Sequence, residues 1–222
     1  MARLVVGSVL CPIALMILTA PVMATPITVD VTGAVTSSQA PLPFVIGDLV
    51  SGTFTYDSNA LIVSSVNIPG FQSVSYMGNA FQLSVGASSY TAIIPTIDVT
   101  EGVAGDFISF FGQGISGPSF SGFTMSKMQI SLNDTTGTAF TGVPLPLPPF
   151  STASFGQLVG QLDFFSGVGG DGPPEMKQTF FSISSFSLAS AVPEPETYAM
   201  LLAGLSLLVA VRRRKLKESA IA

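Results

Sequence analysis

Apolar and polar residues alternate along much of the chain between residues 25 and 188, and this pattern limits the fold more than any other feature. In the first run, Ile27, Val29 and Val31 are each followed by a polar residue. Successive side chains of a strand point to opposite faces, so such a run buries one face and exposes the other. Apolar residues show no sustained helical period in this region. The pattern therefore predicts a β-rich domain.

The remaining strands are predicted from similar short runs separated by Gly, Pro, Ser and Asn. These runs comprise Phe54 and Tyr56; Phe81, Leu83 and Val85; Tyr90, Ala92 and Ile94; residues 97–100 and 107–111; Met128, Ile130 and Leu132; residues 162–165; and residues 181–188. Residues 86–89 predict a four-residue hairpin connection. The last run changes parity between Ile183 and Phe186, which predicts either a bulge near Ser184 and Ser185 or a switch of the buried face.

The spacing of these runs predicts an antiparallel β-sandwich or jelly roll, which we prefer to a barrel. With 17 Phe and no Trp, phenylalanine should dominate its core. Residues 143–150 contain four prolines, too many for a central strand. We expect this segment to lie on the surface as a stiff polyproline connection between strands, and we prefer this interpretation to a proline-motif docking site.

The N-terminus has the features of a cleavable secretory signal. Arg3 precedes the apolar residues 4–18, and Val22 and Ala24 are the small residues favoured before a signal-peptidase site. We expect cleavage between Ala24 and Thr25. The alternatives are a retained membrane anchor or a buried helix, and a lipoprotein signal at Cys11 is disfavoured by the residues that precede it. Removal of residues 1–24 would leave a mature chain without cysteine.

The C-terminus contains three features in a fixed order. Pro193, Glu194 and Pro195 come first, and their prolines favour an extended backbone. An uncharged stretch from Tyr198 through Gly204 to Val211 follows, and as a helix it would be about 21 Å long, short of a hydrocarbon core of about 30 Å. A basic stop completes the sequence: Arg212, Arg213, Arg214 and Lys215. These cations favour the cytoplasmic side, which places the preceding domain outside.

This order resembles the PEP-CTERM sorting signal of Gram-negative bacteria. The resemblance implies that an exosortase, a membrane-embedded cysteine peptidase, recognises Pro193, Glu194 and Pro195 and removes the helix and tail. The alternative is a permanent tail anchor with a proline spacer. Residues 47–57, 106–110 and 185–188 resemble uncharacterised β-rich ectodomains that often precede such signals. We therefore divide the chain into a signal peptide (1–24), an ectodomain (25–191) and a sorting signal (192–217).

The composition excludes the common catalytic centres. There is no histidine, and Cys11 lies in the segment expected to be removed, which excludes Ser-His-Asp and Cys-His catalysis and the usual zinc sites. Acidic clusters at Asp98, Glu101 and Asp106 and at Asp171 and Glu175 match no calcium-loop motif, so we expect solvated turns there. We expect no catalytic residues, metal or cofactor. Between the termini only Lys127 and Lys177 are basic, which excludes an electrostatic nucleic-acid partner.

Three hypotheses remain for the ectodomain. Our choice is a non-enzymatic structural or interaction component of the cell surface, exopolysaccharide or biofilm matrix. A carbohydrate-binding module would need exposed aromatic residues, for which Tyr56, Tyr76 and Tyr90 are the candidates. A glycosidase would need two carboxyl groups facing each other in a cleft. The expected partners are signal peptidase, exosortase, the inner membrane during transit, and extracellular polysaccharide.

Overall fold

The computed structural model describes residues 24–147, 151–166, 175–189 and 202–207. It contains ten antiparallel strands, which confirms the all-β prediction. Their bounds are β1 (Pro26–Ser38), β2 (Leu49–Asp57), β3 (Ile62–Ile68), β4 (Phe71–Met77), β5 (Ala80–Val85), β6 (Ser88–Gly102), β7 (Gly105–Ser116), β8 (Phe123–Asp134), β9 (Gln157–Ser166) and β10 (Met176–Ala189).

Eight of these strands form a closed antiparallel barrel, with the order β6-β5-β2-β1-β10-β9-β8-β7. The ring closes because β6 and β7 pair from Thr91 and Ser116 to the turn between Gly102 and Gly105. All the strands belong to one sheet, so the predicted sandwich or jelly roll is not confirmed. Alternation of apolar and polar residues fits both architectures, because the sheets of a sandwich and the wall of a barrel both bury one face and expose the other. The long pairing of β6 with β7 distinguishes them.

Phenylalanine is the most frequent buried apolar residue in the described part of the chain, in line with the predicted phenylalanine-rich core. The ring of Phe54 lies 5.2 Å from that of Phe81 and 5.0 Å from that of Phe110, and all three side chains are buried. Gly160 lies directly opposite Phe181 in the register of β9 and β10. A Cβ atom on Gly160 would overlap the buried Phe181 ring. A strand position without a side chain is therefore needed to accommodate this ring.

The predicted irregularity in the last strand is a β-bulge. Pairing of β10 with β1 shifts where β10 passes from Ser185 to Ile183, which leaves Ser184 without a register partner. Phe181 is buried before the bulge, and Phe186 and Leu188 pack against the core after it. One extra residue thus returns the apolar side chains to the interior after the change of parity.

Two details of the predicted β5–β6 hairpin are wrong. The connection has two residues rather than four, because Val85 pairs with Ser88; Gly86 has a φ of 56°, which favours glycine. Ile94, predicted to be buried, is 50% exposed. Alternation is interrupted at Ile93 and Ile94, where β6 stops pairing with β5 and begins to pair with β4.

The β3–β4 hairpin extends this sheet outside the ring. β4 pairs with the second half of β6, and β3 pairs only with β4. Every residue of β3 is exposed. In contrast to the strands of the barrel, β3 therefore has a free edge and two solvent-facing surfaces.

Candidate functional site

The barrel has two chemically different ends. At the apolar end, where β1 finishes, the connection of residues 39–48 places Phe44 5.7 Å from Phe120 and 5.8 Å from Phe164, ring to ring. At the polar end, where β1 begins and β10 finishes, residues 135–147 cover the opening and are held by carboxylates and tyrosine hydroxyls. The polar end brings together the carboxylates of Glu101, Asp106 and Asp134 and the hydroxyls of Tyr56 and Tyr76.

Three carboxylates form a row across neighbouring strands at the polar end. Glu101 of β6 pairs in register with Asp106 of β7, and Asp106 pairs with Asp134 of β8. Register partners project to the same face of a sheet. The row is buried at Asp106 and Asp134 and becomes partly exposed at Glu101.

Asp134 organises the loop that follows it. Its Oδ1 accepts hydrogen bonds from the amide and hydroxyl of Thr136 at 2.8 and 2.6 Å, and its Oδ2 accepts from the amides of Thr138 and Ala139, each at 2.8 Å. The Thr136 hydroxyl and these amides lower the pKa of Asp134 to about 2. A carboxyl group held in this way stays ionised and fixes the loop.

The other two carboxylates hold later residues of the same loop. Glu101 Oε2 accepts a 2.8 Å hydrogen bond from the Gly142 amide, and Asp106 Oδ2 accepts a long one from the Phe140 amide at 3.4 Å. The second oxygen of Asp106 is buried without a hydrogen-bond partner. A hollow of about 280 Å³ beside the loop is lined by Phe71, Gln72, Glu101, Val103 and three glycines.

These contacts bear on the acidic clusters identified in the sequence. Asp98 lies on β6 opposite Ser109, outside the row, and Asp171 lies outside the described residues. Across the part of the chain that the structure describes, no group of three acidic side chains is arranged to hold a metal ion. Asp134, held ionised, is unsuited to the general-acid role of a glycosidase. The sequence did not reveal that these carboxylates bind backbone amides.

The described part of the proline-rich segment is only partly exposed. Tyr56 donates a hydrogen bond to the Pro146 carbonyl, and Tyr76 donates one to the Val143 carbonyl at 2.6 Å. Pro146 is buried, and Val143 and Leu145 pack against the core. The expected surface location is thus wrong for Val143, Leu145 and Pro146, whereas Pro144 and Leu147 are exposed as predicted. With few amide donors of its own, this segment fits over a barrel end where its carbonyls meet side-chain hydroxyls.

The tyrosines do not form an aromatic binding platform. Tyr56 and Tyr90 are 0% and 1% exposed, and burial raises the pKa of Tyr90 to about 12. Tyr76 is partly buried, with its hydroxyl engaged by Val143. The residues that motivated the carbohydrate-binding hypothesis belong instead to the core and to the polar end.

A second polar network lies on the wall formed by β8, β9 and β10. Asp163 accepts hydrogen bonds from Gln161 and Gln178 at 2.7 and 3.0 Å, and forms a 2.9 Å ion pair with Lys127. Burial opposes ionisation of Asp163, but these partners outweigh it and lower the pKa of this carboxyl. Both carboxylate oxygens of Asp163 are engaged by side chains of the barrel itself, so the network ties three strands together.

The described chain enters and leaves the barrel at the polar end. Thr25 donates its backbone N–H to Ser58 Oγ at 3.1 Å, and β1 begins at Pro26. Ala189, the last residue of β10, pairs with Thr28 of β1. The predicted cleavage site between Ala24 and Thr25 precedes β1, so cleavage there would leave all ten strands intact.

The C-terminal prediction falls largely outside the described residues. Residues 202–207 are helical, which includes Gly204 of the predicted helix. Pro193, Glu194, Pro195, Tyr198, Val211 and the basic residues 212–215 lie outside the described part. Among the helices of that part, none has the length and apolar character needed to cross a membrane.

Comparison with protein families finds a known sorting motif at the C-terminal end of the chain. A model of the PEP-CTERM protein-sorting motif matches residues 191–215. The chain therefore carries a PEP-CTERM sorting motif, as the sequence resemblance suggested, and a β-barrel precedes it. The motif implies exosortase as its processing partner, and export with sorting to the cell surface. No curated protein and no solved structure showed significant similarity to the chain.

Proposed function

We propose that this exported protein is a non-enzymatic structural or interaction component of the exopolysaccharide or biofilm matrix. The observation that carries the proposal is the sorting motif at residues 191–215, which follows directly on a barrel filled with its own side chains. Phe54, Phe81 and Phe110 occupy the space in which a ligand-binding barrel would hold its ligand. Activity of the barrel would therefore reside on its outer surface.

The polar end supports a non-catalytic role. The carboxylates of Glu101, Asp106 and Asp134 each accept a hydrogen bond from the chain's own backbone, and Glu101 alone of the three also lines the hollow beside the loop. A catalytic acid needs a proton to give at neutral pH, whereas the low pKa of Asp134 keeps its carboxyl ionised. The row is better suited to keeping the loop in place than to hydrolysis.

We further propose that signal peptidase releases the chain after Ala24, and that exosortase removes the C-terminal segment after transient retention at the inner membrane. The described residues that adjoin the two processed segments, Thr25 and Ala189, lie at the polar end, where they border β1 and β10. Cutting at either site would spare every strand of the barrel. Processing and folding are therefore compatible in either order.

Sorting is tested by following the full chain in a strain with its exosortase and in an exosortase deletion strain. Mass spectrometry should find protein ending near Pro193–Pro195 at the surface of the first strain, and an intact tail in the inner membrane of the second. Replacing Pro193, Glu194 and Pro195 together with alanine should reproduce the deletion phenotype. Surface protein that retains Lys217 in both strains would instead indicate a permanent anchor.

The matrix role is tested separately with fractions of the exporting strain. We expect the mature protein in the washed exopolysaccharide fraction, and a less cohesive biofilm when the gene is deleted. Incubating purified protein with isolated exopolysaccharide should release no new reducing ends. Protein found only in the soluble medium would contradict the matrix role, and sugar release that Asp106→Asn abolishes would indicate a glycosidase.

A further inference from the structure

The free edge of β3 is exceptional within the ten described strands. The ring closes through β6 and β7, so neither of these strands has an open edge, and β3 alone ends the sheet. An edge strand presents unpaired N–H and C=O groups that can template pairing with another chain. The β3 edge is therefore the place where this sheet can be extended.

Proteins usually protect such an edge with charged residues, prolines or bulges. β3 has the sequence IVSSVNI, without charge or proline, and the chain has no Asp, Glu, Lys or Arg from residue 58 to residue 97. Its one protective feature is a register shift between Ile62 and Ser64. Ile62, Val66 and Ile68 are 54%, 49% and 55% exposed. Both the backbone and the side chains of β3 thus favour a further strand.

The turn of the hairpin determines which backbone groups are free. Ile68 pairs with Phe71 across a two-residue turn at Pro69 and Gly70, and the pair that flanks such a turn exchanges hydrogen bonds. Because these bonds alternate along an antiparallel ladder, Asn67 and Ser65 direct their N–H and C=O groups toward the free edge. Ser65 lies at the centre of the strand.

We propose that β3 pairs antiparallel with β3 of a second copy of this chain, about a two-fold axis at Ser65. Two residues that face each other in an antiparallel ladder either both form hydrogen bonds across it or both do not. A two-fold axis between two residues would place a residue of one kind opposite one of the other kind. The axis of a symmetric strand pair must therefore pass through a residue that faces its own copy. Centring on Ser65 uses the whole strand and its outward-facing groups. It places Ile62 opposite Ile68 of the partner subunit, and Ser64 opposite Val66 of the partner subunit.

Charge and hydrogen bonding favour a second copy over other occupants. Between residues 25 and 191 only Lys127 and Lys177 offset the carboxylates, so two copies repel at most approaches. The uncharged β3 edge avoids that repulsion. A lipid surface would cover the apolar side chains but offers no hydrogen-bonding partners for Ser65 and Asn67 within its hydrocarbon core. This inference concerns self-association and does not depend on the matrix role.

Cysteine cross-linking of the full chain tests the register. In a Cys11→Ser background, the introduced cysteine is the only one. Ser65→Cys should form disulfide dimers rapidly on mild oxidation, since opposed Cα atoms about 5.5 Å apart suit a disulfide. The Ser64→Cys and Val66→Cys variants should each cross-link slowly when oxidised separately. A mixture of the two variants should cross-link rapidly, because the register places these two positions opposite each other. Thr124→Cys, on the exposed face of β8, controls for random collision.

A non-covalent measurement complements the cross-linking. Sedimentation of the full chain in detergent should show a reversible dimer, which Ser65→Lys weakens about tenfold or more by placing two like charges opposite each other. Thr124→Lys should leave the dimer unchanged. Equal cross-linking at all positions, a monomer at every concentration, or a dimer insensitive to Ser65→Lys would overturn the proposal. The proposal would also be overturned if the β3 amides were protected from hydrogen exchange only when liposomes were added, or only when residues 190–201 were present.

Discussion

The two ends of the barrel are closed by opposite means. The apolar end is filled by Phe44, Phe120 and Phe164. The ring centroid of Phe44 lies 5.7 Å from that of Phe120 and 5.8 Å from that of Phe164. The polar end is covered by a loop whose amides bind Asp134 and Glu101 and whose carbonyls bind Tyr56 and Tyr76. Apolar contacts are insensitive to pH, whereas carboxylate hydrogen bonds require ionisation. The ends should therefore fail under different conditions.

The apolar end should show the largest effect of a single substitution. Phe164→Ala removes a side chain that is 0% exposed and contacts both Phe44 and Tyr90. We expect a loss of about 3–5 kcal/mol in the free energy of unfolding, measured by urea denaturation. Phe165→Ala is the matched control, because its side chain is 39% exposed on the outer face. Equal losses for the two variants would refute the description of this end.

The polar end should show a smaller effect that depends on pH. The folded-state pKa of Asp134 is about 2, below the unfolded value of about 3.9, so folding favours the carboxylate. The stabilisation is complete above about pH 5 and is lost as the pH falls through 4 toward 2. Asp134→Asn should lower Tm by several degrees at pH 7, and the difference from wild type should shrink on acidification.

The control for this variant is Asp30→Asn, at an exposed position on β1. Its Tm should follow that of the wild type throughout the titration. The Phe164→Ala deficit should also remain constant between pH 7 and pH 4. A pH-independent deficit for Asp134→Asn would mean that the shape of the side chain, rather than its charge, holds the loop.

The tyrosine hydroxyls should contribute less than either feature above. Tyr56→Phe removes the donor to the Pro146 carbonyl and leaves that carbonyl without this partner. We expect a loss of about 1–2 kcal/mol, with faster proteolysis of residues 135–147. Tyr76→Phe, whose hydroxyl is less buried, should cost less. If Tyr76→Phe proved the more damaging, Val143 rather than Pro146 would be the main attachment.

The sorting motif should have the smallest effect on the barrel. Alanine at Pro193, Glu194 and Pro195 should change the free energy of unfolding by less than about 0.5 kcal/mol, because β10 already ends at Ala189. Thermal melts of the full chain in detergent would measure this. A large decrease in Tm would show that residues beyond Ala189 help to close the polar end.

Much of this fold follows from local patterns in the sequence. Strand identity and a phenylalanine core follow from alternation, since a half-buried strand places every second residue inside. The bulge at Ser184 was signalled by the change of parity between Ile183 and Phe186. The sorting motif was also recognisable, because it depends on the order of a few adjacent residues rather than on a folded geometry.

Only the tertiary structure decided how the strands close and what the polar side chains contact. Alternation is the same in a sandwich and in a barrel, and the pairing of β6 with β7 selects the barrel. Asp106 and Asp134 lie 28 positions apart in the numbering, yet register places them side by side. Tyr56 and Pro146 form a hydrogen bond although they lie 90 positions apart in the sequence. Such contacts depend on strand register and closure, which residue patterns within single strands do not specify.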